Sequence, residues 1–99
     1  MNNCINRFLV AYDIVDNKRR RELAKLLQGH GYRLQYSLFQ MDAKPSKMER
    51  FVRHVKSIIK PSEDSVIVVD LGSVLNAQKR KLTQIGDTKD VLHNGPLVF

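Results

Sequence analysis

The sequence predicts an α+β fold, in which one sheet packs against two helices that lie on the same face. The chain has 99 residues, which is enough for one hydrophobic core and too few for a large two-domain enzyme with an interdomain cleft. Short apolar runs typical of strands alternate with two stretches of helical periodicity. Glycine and proline separate these segments, so the elements follow one another in a single domain.

The first strand is predicted over residues 7–13 and ends on Asp13. Apolar residues occupy both of its alternating faces, which is typical of a strand buried on both sides. Asp16 or Asn17 can cap the helix that follows, because both side chains accept a hydrogen bond from helix N-terminal amides. Leucines at helical spacing place this first helix over residues 17–29, where glycines end it.

The next segment changes its phase. Apolar and polar residues alternate from Tyr32 onward, and the alternation slips between Leu38 and Phe39. A regular strand would turn its buried face to the other side at this point. We therefore predict a bulge or bend near Ser37 to Phe39, or two short strands that meet there.

A second helix is predicted over residues 47–60. Ser46 and Glu49 have the spacing of a capping box, and Pro61 ends the helix. The apolar run at residues 65–71 predicts another strand buried on both faces.

The last part of the chain resembles an extended tail. Residues 81–85 and 97–99 are expected to form short edge strands.

The element order is that of the split βαβ, or ferredoxin-like, fold: a four-stranded antiparallel sheet with two helices on one face. We expect residues 1–72 to form the core of one domain. Because the other sheet face needs a cover, we expect a homodimer in which the tail, 73–99, adds a strand to the partner's sheet.

Positive charge is concentrated in one segment. The chain has a net charge of +7, and residues 18–60 alone hold 12 cations and three acids, a net of +9. Such a field attracts polyanions, and nucleic acid is the default polyanion inside a cell. The alternative is a solvated Lys/Arg-rich helix surface that serves solubility.

Cysteine usage and hydropathy predict the compartment. Cys4 is the single cysteine, so no disulfide within the chain is expected, and a reducing cytoplasm is the natural location. The longest apolar stretches are far shorter than a membrane span, so we expect no membrane partner.

Four consecutive cations are predicted in the first turn of the first helix: Lys18, Arg19, Arg20 and Arg21. Positive charge opposes the helix dipole there, so folding alone would not favour this placement. A phosphate would interact with the helix amides and the guanidinium groups together. A solvated charge run is the alternative.

Asp13 is the strongest candidate for chemistry. A carboxylate that faces a phosphate-binding surface fits a Mg²⁺ ion, which polarises a phosphodiester and lowers the pKa of an attacking water. One carboxylate holds Mg²⁺ poorly, whereas a twofold dimer would supply two copies of Asp13. The alternative is a salt bridge from Asp13 to Arg33 or Arg20.

Each of the other candidate residues has two possible roles. Tyr12, Tyr36 and Phe39 can stack on bases or belong to the core. Ser37 can bind a phosphate or satisfy the interrupted strand ladder. The three histidines, at positions 30, 54 and 93, lie in separate segments without ligand spacing and are expected at the surface.

Three motifs carry a family resemblance: YDIVDNKRRR at residues 12–21, RLQYSLFQ at 33–40 and EDSVIVVDLG at 63–72. Together they resemble the small CRISPR-associated adaptation nuclease, the second of the two core spacer-acquisition proteins. Residues 73–99 match only loosely, as a variable tail would.

The resemblance implies a role in antiviral defence and a ferredoxin-like homodimer in which two copies of catalytic Asp13 share one Mg²⁺ ion. Members of this family are metal-dependent endonucleases on single-stranded RNA or double-stranded DNA, or non-catalytic scaffolds that join the larger CRISPR integrase to DNA. The chain departs from some nuclease members at Glu22, where they have arginine. The residues that fall at family active-site positions are Tyr12, Asp13, Arg20, Arg33, Ser37 and Phe39.

Three hypotheses remain open from the sequence: a Mg²⁺-dependent phosphodiesterase, a dimeric DNA-binding scaffold, and a toxin-like messenger-RNA nuclease of the same fold. Each needs a nucleic-acid-binding surface. The candidates for that surface are Tyr12, Lys18, Arg19, Arg20, Arg21, Arg33, Ser37 and Phe39.

Overall fold

The computed structural model describes residues 4–79 and 82–86. The elements are, in chain order, β1 Asn6–Asp13, α1 Asn17–Gln28, β2 Gly31–Gln35, β3 Leu38–Ala43, α2 Pro45–Ile58, β4 Ser65–Ser73 and a short α3 Val74–Ala77. The four strands form one antiparallel sheet in the order β2-β3-β1-β4. This arrangement confirms the predicted α+β, ferredoxin-like fold.

The core lies between the sheet and the two main helices. From β1 and β3, Val10 and Phe39 are fully buried, and from α1 so are Leu23 and Leu27. Two of these side chains come from the sheet and two from α1, so the apolar stripe of this helix is buried against the sheet. Helix α1 therefore shares one buried core with β1 and β3.

Helix α1 begins where the sequence predicts it. The carboxylate of Asp16 accepts a hydrogen bond of 2.9 Å from the Arg19 amide, so Asp16 is the N-cap rather than Asn17. This hydrogen bond lowers the pKa of Asp16. The helix ends at Gln28, and Gly29 is its C-cap.

The phase slip in the sequence marks a hairpin. Of the two predicted alternatives, two short strands are found, joined by a turn at Tyr36 and Ser37. Pairing between β2 and β3 is irregular between Arg33 and Gln35. Tyr32 pairs with Gln40 and Arg33 pairs with Phe39, so the apolar Tyr32 of β2 lies on the opposite face of the sheet from Phe39 of β3, as the phase slip in the sequence requires.

Helix α2 starts earlier than predicted, at Pro45. The predicted capping box of Ser46 and Glu49 is wrong, because Lys44 occupies the N-cap and makes no side-chain capping hydrogen bond. Proline has a fixed φ suited to the first helical position and no N–H to satisfy, so it begins the helix without a cap.

Strand β4 differs most from the prediction. It was expected to be buried on both faces, and that expectation is wrong: Ile67, Val68 and Val69 are 60%, 37% and 43% exposed. The strand is an edge strand that pairs with β1 alone within the described part of the chain. Its apolar run therefore faces solvent in the single chain.

The tail departs from the prediction as well. Residues 82–85 form no strand, and the short helix α3 before them was not predicted. The expected strand at residues 97–99 lies outside the described residues. Within residues 4–79 and 82–86, no helix is long and apolar enough to cross a bilayer.

The expectation of surface histidines holds for His54, which is exposed, and is wrong for His30. The His30 ring is half-buried in a T-shaped arrangement with Phe51, at 5.5 Å between centroids, and its Nδ1 lies 2.9 Å from the carbonyl oxygen of Leu26. This ring therefore packs between the two helices. His93 lies outside the described residues.

Candidate active site and nucleic-acid surface

A pocket of about 410 Å³ opens where the end of β1, the first turns of α1 and the β2–β3 hairpin meet. Most of the candidates from the sequence analysis line it, although they come from three separate segments. The lining residues are Tyr12, Asp13, Ile14, Arg20, Arg21, Ala24, Arg33, Tyr36 and Ser37. Lys18, Arg19 and Phe39 are not among them.

Asp13 contributes the acidic group of the pocket. It is the last residue of β1, where it pairs with Ser65 of β4, and it is exposed. No cation of residues 4–79 or 82–86 forms a salt bridge with it, so the alternative of a structural ion pair with Arg33 or Arg20 is wrong for this part of the chain. Its oxygens are accessible from the pocket.

Arg20 is anchored at the entrance to α1. Its guanidinium donates a hydrogen bond of 2.7 Å to the carbonyl oxygen of Ile14 and a second one to the side-chain oxygen of Asn17. Arg21 is exposed beside it and also lines the pocket. One cation is therefore held in place while its neighbour is free to follow a ligand.

Arg33, in strand β2 of the hairpin, supplies the third guanidinium of the pocket. Its Cζ lies 5.2 Å from the centroid of the Phe39 ring, in cation–π geometry. Its Nε is buried and has no hydrogen-bond partner among the described residues. An unsatisfied buried donor is costly, and an anion in the pocket is the kind of group that would satisfy it.

The two aromatic rings behind the pocket belong to the core. Phe39 is fully buried and stacks on Tyr12 at 6.3 Å between centroids. The predicted direct contact between Phe39 and nucleic acid is therefore wrong in this structure, and the ring instead supports Arg33. Tyr12 is 7% exposed, and Tyr36 is 76% exposed at the rim, where it is accessible for stacking on a base.

The hairpin turn is bonded to the end of β1. The Tyr12 amide donates to the carbonyl oxygen of Ser37 at 3.0 Å, and the Tyr12 hydroxyl donates to the carbonyl oxygen of Tyr36 at 3.0 Å. Both hydrogen bonds use the residue before Asp13. They therefore hold Ser37 and Asp13 on the same side of the pocket.

Arg19 has a different role from its neighbours. It forms salt bridges of 2.8 Å with Asp64 and 3.1 Å with Glu63, so the structure assigns it to an ion pair rather than to the pocket. Its hydrogen bonds to Asp64, together with the amides of Lys60 and Val15, lower the pKa of that carboxyl to about 2. Sequence reasoning missed Asp64, although the adjacent acids before β4 were a visible signal.

The pocket fits one part of a magnesium site. No group of three metal-binding side chains occurs among residues 4–79 and 82–86. Mg²⁺ is commonly held by one or two carboxylates together with water and substrate phosphate oxygens, and the accessible carboxylate of Asp13 is such a ligand. Among residues 4–79 and 82–86, no second carboxylate lines the pocket, and Asp64 is engaged by Arg19.

Fold and pocket together define a ferredoxin-like domain with a carboxylate and an arginine cluster at a strand end. The family model described as CRISPR associated protein Cas2 matches residues 6–90. The chain belongs to this family.

Individual relatives agree with the family match. The chain is 39% identical over 59 residues to CRISPR-associated endoribonuclease Cas2 3 of Synechocystis sp., which covers 60% of this chain and 64% of that protein. It therefore spans less than two thirds of the length of this relative. The crystal structure of Streptococcus pyogenes Cas2 at pH 6.5 matches with a TM-score of 0.69 and 31% identity, over 79% of this chain and 98% of that chain.

A third similarity concerns the fold alone. A chain in the structure of a partial Cas6-RT-Cas1–Cas2 complex has a TM-score of 0.66 and 24% identity, over 94% of this chain and 99% of that chain.

Proposed function

We propose that the protein is a Mg²⁺-dependent endonuclease of CRISPR adaptation, a phosphodiesterase that acts on RNA or double-stranded DNA in the cytoplasm. One observation carries the proposal: a single accessible carboxylate, Asp13, shares a pocket with Arg20, Arg21 and Arg33. Arginines bind phosphate oxygens in pairs of hydrogen bonds, and a carboxylate among them has no structural partner in the described part of the chain. The combination suits a phosphodiester with a cation.

The residues of the chain divide the work. Arg33, with its unpartnered buried Nε, holds a phosphate oxygen, and Arg20 and Arg21 hold the backbone on the other side. Ser37 lies at the rim of the pocket, and its hydroxyl donates a hydrogen bond to the same nucleic-acid backbone. Asp13 would hold Mg²⁺ and orient the attacking water, and the ion would supply polarisation of the phosphate and a lower pKa of that water.

A homodimer completes this site in the proposal. A second copy would bring a second Asp13, and one Mg²⁺ ion would lie between the two. The exposed apolar residues of β4 support a second copy, since an edge strand with uncovered apolar side chains is a pairing surface. The tail at residues 73–99 would add a strand to the partner's sheet.

The larger CRISPR integrase and a DNA fragment are the further partners in the proposal. The Cas1-containing complex with a neighbour of the same fold supports the integrase partnership. The net charge of +7 supports binding of nucleic acid.

A non-catalytic scaffold is the second candidate, and a specific observation favours it. Exposed cations continue along both helices, well beyond the pocket: Lys18, Lys25, Lys47, Arg50, Arg53 and Lys56. Phosphodiester chemistry does not need them, whereas a long duplex does. The family match favours either of these functions over the toxin-like messenger-RNA nuclease.

The test is cleavage of RNA and of duplex DNA by wild type and Asp13→Asn, with Mg²⁺ and with EDTA. We expect Asp13→Asn to lower kcat at least about 100-fold, because the amide neither holds the cation nor orients the water. The control is Asp42→Asn, since Asp42 pairs with Arg7 outside the pocket. Equal cleavage by wild type and Asp13→Asn would indicate a contaminating nuclease, and unchanged spacer acquisition by Asp13→Asn would favour the scaffold.

A further inference from the structure

Asp64 is a buried carboxylate that the proposed chemistry does not use. Its side chain is 0% exposed. One oxygen accepts hydrogen bonds from Arg19 Nε at 2.8 Å and from the Lys60 amide at 2.8 Å. The other accepts from the Val15 amide at 3.0 Å and from Arg19 Nη2 at 3.3 Å. A charged group is stable in such a place only when its hydrogen bonds are satisfied, as they are here.

These hydrogen bonds join three segments that are distant in the sequence. Val15 belongs to the loop between β1 and α1, Arg19 to the first turn of α1, and Lys60 to the connection between α2 and β4. Asp64 itself is the residue before β4. The carboxylate is therefore a junction between the entrance to α1 and the rest of the fold.

The junction is connected to the pocket through the loop between β1 and α1. Val15 follows Asp13 by two residues, and Ile14 between them lines the pocket with its backbone fixed by Arg20. Asp64 does not line the pocket. Its hydrogen bond to Val15 thus acts on the short segment that sets the distance between the Asp13 carboxylate and the Arg20 guanidinium.

We propose that Asp64 is a positioning residue of the Asp13 pocket, which holds the loop between β1 and α1 so that Asp13 and Arg20 face one ligand. Arg19 belongs to this device and not to the nucleic-acid surface, since both of its partners are carboxylates. The inference rests on the proposed function, because the pocket is the site that Asp64 positions.

The molecule contains a matched control for a purely structural role. Arg7 and Asp42 form a salt bridge with two hydrogen bonds, of 2.9 Å and 3.0 Å, between β1 and β3. Neither residue lines the pocket. Asp42→Asn likewise removes an arginine–aspartate ion pair, although a more exposed one, without acting on the loop after Asp13.

The experiment compares Asp64→Asn with Asp42→Asn in the full chain, at a temperature where circular dichroism shows both variants folded. We expect Asp64→Asn to lower kcat for RNA cleavage about tenfold or more with little change in KM, and Asp42→Asn to change kcat less than about twofold. Arg19→Gln added to Asp64→Asn should cause no further loss, because the two residues act as a unit.

Wild-type kcat in folded Asp64→Asn, or an equal loss in Asp42→Asn, would overturn the inference. If wild type shows no cleavage that depends on Asp13, the proposed enzymatic function is wrong, and the affinity for a short fluorescent RNA tests the inference instead. A loss of affinity in Asp64→Asn as large as that in Arg20→Gln supports the inference. Unchanged affinity in Asp64→Asn overturns it. If Asp64→Asn does not fold, Arg19→Lys replaces it, since lysine keeps the charge and loses the paired hydrogen bonds to Asp64.

Discussion

Adjacent arginines at the start of α1 have different partners. Arg19 points to Asp64, Arg20 donates to the loop before the helix, and Arg21 lies open beside the pocket. Successive side chains on a helix are turned by about 100°, so a run of like residues is divided among different environments. A single cationic motif thereby serves both folding and ligand binding.

Acid should reveal the Asp64 ion pair. Its pKa is lowered from its ordinary value of 3.8 to about 2, so the folded protein keeps this carboxylate ionised where the unfolded chain takes up a proton. Ionised Asp64 therefore stabilises the fold fully above about pH 5, and this contribution is lost as the pH falls toward about 2.

Urea unfolding of wild type and Asp64→Asn across this pH range measures the effect. The difference in free energy of unfolding between the two proteins should be constant above about pH 5 and shrink steadily below about pH 4. The pKa values of Asp16 and Glu63 are also lowered, and both groups interact with the Asp64–Arg19 pair, so the difference measures this cluster of charges together. A difference that is independent of pH would contradict the ion pair.

Arg33 should contribute to nucleic-acid affinity through its planar guanidinium. Arg33→Lys keeps the charge but loses the fork of donors and most of the stacking on Phe39, so we expect RNA affinity to fall about 5- to 20-fold. Phe39→Leu should give a smaller loss in the same direction, since it removes the ring and keeps most of the volume. Fluorescence anisotropy measures both, and wild-type affinity in Arg33→Lys would contradict the assignment.

At the scale of elements, the β2–β3 hairpin forms one wall of the pocket. Its turn is bonded to Tyr12, and its strands bring Arg33 over Phe39. The two strands approach closely at Gly31, where an added Cβ would meet the carbonyl group of Gln40 and lie 2.9 Å from the Cβ of Met41. The wall therefore depends on a glycine that the sequence pattern alone interprets only as a helix stop.

Gly31→Ala should destabilise the hairpin by about 1–3 kcal/mol, because the neighbouring atoms belong to a paired strand and cannot move without breaking the ladder. Gly29→Ala is the matched control: its Cβ would have no neighbour closer than 3.5 Å, and its φ of −79° suits alanine. Urea unfolding measures both variants. Equal stability of the two would contradict the close approach at Gly31.

For the whole molecule, β4 is an apolar strand at an uncovered edge. Ile67 and Val69 alternate with residues that face the helices, so they project from the opposite face of the sheet. Within the described residues this edge has no pairing strand. The arrangement explains why an apolar run whose sequence predicts burial on both faces is exposed in one chain. A second copy of the chain could cover this surface.

Ile67→Glu should shift the proposed dimer toward monomer by at least about tenfold in dissociation constant, because it would bury a charge in an apolar interface. The side chain is 60% exposed, so the fold of the single chain should be retained. Ser46→Glu adds the same charge at an exposed position on α2 and should leave association unchanged. Sedimentation equilibrium measures both, and equal dimerisation of the two variants would contradict the interface.

Local sequence patterns predicted the two main helices, the strands of the sheet, the cationic segment and the position of Asp13 at a strand end, although they missed α3 and predicted a strand that residues 82–85 do not form. These features depend on residues within a few positions of each other, where periodicity, caps and turn residues act directly. The capping box at Ser46 failed for a local reason, since the adjacent Pro45 competes for the same helix start.

Which cations face the pocket and whether β4 is buried depend on contacts between distant segments. Arg19 meets Asp64 across 45 positions of sequence, and the exposure of Ile67 depends on β4 being the edge strand of the order β2-β3-β1-β4. Both the Arg19–Asp64 ion pair and the edge position of β4 depend on where the segment after α2 joins the sheet. No local pattern specifies that position, because contacts between distant segments depend on the packing of the whole core.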